Sequence, residues 1–205
     1  MFYTEAEGHP LPFDPFKAII APRPIGWISS LDSEGRPNLA PYSFFCAIAS
    51  KPNMVGFTSD GLKHSVRNIR DTGEFVFNLS TMELLHEMNA TSTELEDGED
   101  EFSFAGLEAA PSALVKPPRV ARAAAALECK LTMFSEIQDL SGEGIDRWLA
   151  IGQVVAVHID DRFIKAGRFD TAAAQPLGRC GYRDYAVVDE MFELLRPTDP
   201  GRVIR

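Results

Sequence analysis

A side-chain alternation of period two constrains this chain more than any other feature. In residues 74–80 (EFVFNLS), Phe75, Phe77 and Leu79 fall on one face. In residues 127–136, Leu127, Cys129, Leu131 and Met133 face one way, while Glu128, Lys130, Thr132 and Glu136 face the other. In residues 149–159, Leu149, Ile151, Val155, Val157 and Ile159 alternate likewise. Successive side chains of an extended chain point to opposite faces, so such runs predict strands with one buried face.

Further strands are expected at residues 25–31, 39–46 and 54–59. Asp32 to Gly35 reads as a hairpin turn between the first two, and Lys51-Pro52-Asn53 as the turn before the third. Pro41 donates no ladder hydrogen bond, which implies an edge position or a bulge. Residues 64–72 predict a helix with Val66, Ile69 and Arg70 on one side and Gly73 as C-cap. Residues 81–90 predict a second helix with Leu84, Leu85 and Met88 as a packing stripe. Residues 121–126 read as the start of a strand, and residues 111–118 (PSALVKPP) as a connector. The sum is six to eight strands with two or more short helices. That pattern points to an antiparallel barrel or sandwich and away from a doubly wound nucleotide-binding sheet.

The 205 residues carry a formal net charge of -10, which disfavours nucleic acid and anionic lipid as partners. The acidic run at residues 94–101 (ELEDGEDE) reads as a solvated loop. No run of about 18 apolar residues is present, so no transmembrane helix is expected. The N-terminus combines acids and prolines where a signal peptide has a basic start and an apolar core, so a cytoplasmic location is expected. Cys46, Cys129 and Cys180 lie far apart without a C-x-x-C spacing and are expected as free thiols. His9, His64, His86 and His158 share no metal-ligand spacing.

The chain has no G-x-G-x-x-G, P-loop, G-x-S-x-G or H-E-x-x-H motif. A borrowed cofactor would supply chemistry that these side chains lack. Two segments could hold one. In Thr58-Ser59-Asp60-Gly61-Leu62-Lys63-His64-Ser65 a strand ends at two hydroxyls, turns, and enters a helix. Helix N-termini offer free N–H groups and a positive dipole end, so this segment suits a phosphomonoester; an ordinary N-cap with a surface lysine is the plain alternative. In Asn38-Leu39-Ala40-Pro41-Tyr42-Ser43-Phe44-Phe45-Cys46, a proline-interrupted strand could present backbone groups to a planar ligand, or could simply be a core strand.

In order along the chain, Ala21-Pro-Arg-Pro-Ile-Gly-Trp-Ile-Ser-Ser, Asn38-Leu-Ala-Pro-Tyr-Ser-Phe-Phe, Lys63-His-Ser with Asn68-Ile69, and Glu74-Phe-Val-Phe-Asn-Leu form one series. Pro117-Pro-Arg-Val, Leu127-Glu-Cys-Lys-Leu, residues 151–159 (IGQVVAVHI) and residues 176–185 (PLGRCGYRDY) continue it. The set resembles the flavin reductase-like, FMN-binding split-barrel proteins, which include flavoredoxins and the reductase components of two-component flavin monooxygenases. The resemblance covers about residues 12–190 as a single domain, with residues 1–11 and 191–205 as terminal extensions. It implies a mainly β, antiparallel split barrel that binds FMN near a homodimer interface. It further implies NAD(P)H-dependent flavin reduction with electrons or reduced flavin passed to a partner such as a monooxygenase. Tyr42, Ser43, Phe44, Phe45 and Cys46 would then line the ring and ribityl chain, largely through backbone. Thr58, Ser59, Lys63 and Ser65 would hold the phosphate, with Arg23 and Asn68 near the site. Arg179 and Tyr185 would reach the flavin or the partner chain. The resemblance requires no catalytic acid or base and no metal. Cys46 stands where the pattern often has Asn or Thr, Ala49 where it has Ser, Asn53 where it has a second Pro, and His64 where it has Asp. Competing readings are an electron carrier without NAD(P)H activity, a non-enzymatic flavin- or haem-binding barrel, and a pyridoxine phosphate oxidase.

Overall fold

The computed structural model describes residues 1–93, 95 and 99–194. Short strands β1 (Arg23–Pro24), β2 (Gly26–Leu31), β3 (Pro37–Tyr42), β4 (Phe45–Ser50) and β5 (Asn53–Asp60) follow helix α1 (Phe16–Ile19). Helix α2 (His64–Thr72), strand β6 (Glu74–Leu79), helices α3 (Leu85–Ala90) and α4 (Glu101–Phe104), and strands β7 (Ala109–Ala110) and β8 (Arg119–Val120) come next. Two long strands, β9 (Ala125–Gln138) and β10 (Gly144–Ile159), precede β11 (Ile164–Lys165), β12 (Arg168–Phe169), α5 (Thr171–Ala174), β13 (Leu177–Gly181) and β14 (Asp184–Val187).

The main sheet has seven strands in the order β3-β2-β6-β9-β10-β5-β4, and every pairing in it is antiparallel. Its edges are β3 and β4, which are consecutive in the chain but not paired. The sheet thus curls into an antiparallel barrel left split between them, as the sequence led us to expect. Ile28, Phe45, Val55, Phe57, Val66, Ile69, Phe75, Phe77, Cys129 and Ala150 fill the interior. There Phe45 stacks on Phe77 with centroids 4.6 Å apart. Helix α2 contributes Val66 and Ile69 to this core, while Arg70 stays exposed. It ends at Gly73, whose left-handed φ of 73° lets its N–H reach the Ile69 carbonyl. The opposite face of β2 carries Trp27, which packs with Leu84, Met88 and Phe102. Trp27 Nε1 donates to Thr91 Oγ1 at 2.9 Å. A smaller sheet, β1-β13-β14, lies beside the barrel.

The structure corrects several local expectations. The run at residues 39–46 is two strands, broken at Ser43 and Phe44, and Pro41 does sit on an edge strand. Residues 121 and 122 form a turn, and the strand begins only at Ala125. The first turn of the helix expected at residues 81–90 is a 3-10 turn, Met82–Leu84.

The face assigned to residues 149–159 is reversed: Ala150 is fully buried, whereas Val157 is 54% and Ile159 41% exposed. Ala150, Gly152 and Val154 take the inward face of β10 instead, and register shifts with β9 occur at Ile151/Gly152, where Thr132 is the extra residue, and at Val154/Ala156, where Val155 is. Each inserts one unpaired residue, and one residue flips every later side chain to the other face. The first shift also turns Met133 out to 52% exposure and brings Leu131 and Phe134 to the core. Glu128, expected on the polar face, is fully buried. Its carboxylate accepts the N–H groups of Ala113 and Leu114 at 2.6 Å and of Val115 at 3.1 Å, and meets His158 Nε2 at 2.5 Å. The residues read as a connector are held by this carboxylate. Of the acidic run at residues 94–101, residues 94 and 96–98 lie outside the described residues, and Glu101 at its end is buried rather than solvated. No helix among the described residues is long and apolar enough to cross a membrane.

Candidate functional site

Strand β5 delivers the chain to the turn at Asp60 and Gly61, and α2 starts at His64. The N-cap Lys63 is extended, with φ -70° and ψ 172°, and no side chain caps the helix. The N-cap side chain therefore takes none of the first-turn N–H groups. Beside them, Lys63, His64 and Arg67 line a cavity of about 380 Å³. Lys63 and Arg67 are one helical turn apart, so they share a face. Opposite them lie Asn38, Ala40, Pro41 and Tyr42 of β3. This end of the split brings Lys63 and Arg67 together at a helix N-terminus, an arrangement that suits a phosphate dianion.

The neighbouring hydroxyls are used inside the protein. Ser59 and Ser65 are each 1% exposed. Ser59 Oγ donates to the Gly61 carbonyl at 2.9 Å, and Ser65 Oγ accepts from Asn38 Nδ2 at 2.8 Å. Both also bond the Tyr42 phenol, whose pKa is raised because burial outweighs those bonds. Tyr42 thus faces inward, 4.7 Å from the Phe57 ring, and fixes β3 against β5 and α2. Glu101 reaches the same pocket from α4 and accepts the Leu39 N–H at 3.1 Å. Its burial raises its pKa, against the lowering effects of that bond and of His64.

The groove continues past Pro41 and Ser92 into a second cavity of about 420 Å³, lined by Ile25, Ser43, Met88, Arg179, Arg183 and Tyr185. The break between β3 and β4 lies along this path. Phe44 there is 44% exposed, with the Arg23 guanidinium 5.8 Å from its ring centroid. Phe45 turns into the barrel, and Cys46 is exposed on β4.

Among the residues singled out by sequence, Tyr42, Lys63 and Ser65 therefore line the first cavity, and Ser43, Arg179 and Tyr185 the second. Asn68 lines a third, of about 440 Å³, which shares Asn38, His64, Arg67 and Glu101 with the first. Arg23, Phe44, Phe45, Cys46, Thr58 and Ser59 line none of the three. Sequence reasoning named Asn38 only as part of the candidate strand and missed Arg67, Glu101 and Arg183. The four-residue spacing of Lys63 and Arg67 on a helix could have flagged Arg67; nothing local marks the others.

Residues 20–173 match the family model described as flavin reductase like domain. An uncharacterised protein of Deinococcus radiodurans is 38% identical over 194 residues, which are 88% of this chain and 82% of that protein. Component B of nitrilotriacetate monooxygenase from Bacillus cereus has a similar structure, with TM-score 0.86 and 28% identity, covering 95% of this chain and 98% of that one. The 2-nitrobenzoate 2-nitroreductase NbaA of Pseudomonas fluorescens is similar at TM-score 0.84 and 26% identity, with 97% of each chain covered. By the match over most of its length and by its split barrel, the chain belongs to the flavin reductase-like family.

Proposed function

We propose that the protein is an FMN-binding oxidoreductase of the NAD(P)H:flavin type. The observation that carries this reading is the uncapped N-terminus of α2 with Lys63, His64 and Arg67 around one cavity. The residues present fit the phosphate of FMN. The α2 amides and Lys63 would hold it, with Arg67 adding positive charge; the Ser59 and Ser65 hydroxyls would orient Tyr42 instead. The ribityl chain and ring would follow the split towards Ser43, contacting backbone at Tyr42, Ser43, Phe44 and Cys46, so the Cys46 side chain need not supply a bond. When bound, FMN supplies the redox chemistry that side chains lack. The chain's own part is to bind, orient and shield it, and no side chain acts as acid or base.

The rest of the reading extends from there. Residues 12–190 form one FMN-binding domain that works in the cytoplasm. Edge strand β4 exposes Cys46 to Ser50, with Ile48 46% exposed, and an open edge of this kind invites pairing. That supports a homodimer with FMN near the interface. Similarity to a monooxygenase component B supports transfer of electrons or reduced flavin to a partner oxygenase. The test is FMN titration of the purified protein, with NADH and NADPH oxidation measured alongside. Lys63→Ala should weaken FMN binding by about 1.5–3 kcal/mol, the worth of a charge-assisted hydrogen bond. A colourless protein that ignores FMN would sink the proposal.

A further inference from the structure

Arg23 of β1 lies directly opposite Arg179 of β13 in the small sheet. Like charges at directly opposed positions lower stability, so the fold alone gives no reason for the pair. Arg23 is only 8% exposed; its Nη1 donates to the Lys17 and Ile20 carbonyls, and its Nε has no partner. Arg179 donates to the Tyr182 carbonyl at 2.7 Å and lies 4.5 Å from the Tyr185 ring centroid. A third guanidinium, Arg183, lines the same cavity of about 420 Å³ as Arg179. Among the described residues, no carboxylate lines that cavity. Among the described residues, none of the three arginines has a carboxylate partner. In a chain of net charge -10, three arginines gathered without an acid stand out. Arg23 is buried and Arg179 half-buried, where a guanidinium without a counter-charge is costly and an arriving anion offsets that cost; Arg183 is exposed, within reach of such an anion.

We propose that Arg179 and Arg183 form an anion subsite for a planar co-substrate, with Arg23 adding positive potential across the sheet. Arginine presents a planar fork that matches carboxylate and phosphate oxygens. Ile25, Met88 and the Tyr185 ring supply an apolar wall for a flat body, and Ser43 a hydroxyl. The cavity adjoins the groove read above as the flavin site, sharing Pro41 and Ser92 with it. The proposal rests on that reading for its neighbour, but not for the anion pocket itself. The shared ligand chemistry is an oxyanion on a planar molecule. It has two sources: the phosphates of a nicotinamide dinucleotide, or the carboxylate of a free aromatic acid.

The test is calorimetric titration of the FMN-loaded protein with NADP⁺ and, separately, with benzoate, in wild type, Arg183→Ala and Arg183→Lys. One of the two should bind saturably. Arg183→Ala should weaken it about ten- to hundredfold, the loss of a charge-assisted hydrogen bond, and Arg183→Lys should restore part of the loss. FMN affinity should not change. Binding of NADP⁺ alone assigns the dinucleotide, and binding of benzoate alone the aromatic acid. Absence of binding by both, or equal binding to wild type and Arg183→Ala, would overturn the proposal. Should the protein take up no FMN, the same titrations on the protein as purified still read the Arg183 effect, so the two failures are distinguishable.

Discussion

Replacing Glu128 by Ala should be among the most damaging single changes outside the groove between β3 and β4. The carboxylate is fully buried in β9 and accepts three backbone N–H groups from the stretch at residues 113–115, with His158 as a fourth partner. Alanine would leave those amides without an acceptor. Each buried N–H left unmade costs about 1–3 kcal/mol, so three cost about 3–9 kcal/mol. Because the stretch can relax towards water, the lower part of that range, about 3–5 kcal/mol, is expected. For a chain of 205 residues that is a fall in Tm of roughly 6–20 °C, at about 2–4 °C per kcal/mol. The assay is thermal unfolding of both proteins across a pH series. Burial pushes the Glu128 pKa up, but the Ala113 amide, His158 and the Leu114 amide together leave it below its ordinary value. A carboxyl with a lowered folded pKa contributes fully above its unfolded value and loses that contribution as pH falls through the folded value. The gap between wild type and Glu128→Ala should therefore be widest above the ordinary carboxylate range, about 4.3, and close in acid. A loss under 2 °C at pH 7, or a gap that widens in acid, would refute the reasoning.

Two other tests address the core. A Cβ added at Gly152 would stand 2.4 Å from the Phe75 ring and 3.1 Å from Cys129 Cβ, so Gly152→Ala should lower stability by about 1–3 kcal/mol in urea unfolding. Burial pushes the Cys129 thiol up to about 12, so a thiol reagent at pH 8 should leave Cys129 unlabelled in the native protein and label it only after denaturation, as peptide mapping would show.

Strand content was legible because alternation is a local property. Phe75 and Phe77 are core residues of β6, as their spacing implies, and Gly73 ends α2 where a left-handed C-cap was expected. Facing was less legible, because a bulge depends on the partner strand. Nothing within residues 149–159 says that β9 carries an extra residue opposite Ile151 and Gly152. The cationic half of the site could be approached from sequence, since the strand, turn and helix around Lys63 are contiguous. The other half is tertiary. Glu101 bonds a residue 62 positions away, and Asn38 bonds Ser65 across 27. Ser59 and Ser65 resemble phosphate ligands by residue type, yet their hydroxyls face Tyr42 because alternation and helix phase turn them inward.

The split itself follows from which N–H groups β3 offers outward. Pro41 pairs with Trp27, Leu39 with Ser29, and Pro37 with Leu31. In an antiparallel ladder alternate residues point their N–H groups towards the partner or away. Leu39 points away, since its N–H goes to Glu101 rather than to β2. Pro37 and Pro41 occupy the same outward phase and have no N–H to give. Glu101 takes the Leu39 donor between them, so β4 finds no free N–H at these positions of the edge, and the groove stays open. Glu101→Gln should preserve this, because its amide oxygen can still accept the Leu39 N–H while the buried charge is removed. Glu101→Ala should cost about 1–3 kcal/mol for the orphaned N–H. Burial raises the Glu101 pKa, so the fold favours its protonated form and the charged form weighs on stability as pH rises through the folded value. In urea unfolding, Glu101→Gln should match wild type in acid, exceed it increasingly towards neutral pH, and stay above Glu101→Ala throughout. A Gln variant no more stable than the Ala variant would show that the Leu39 bond does not protect the edge.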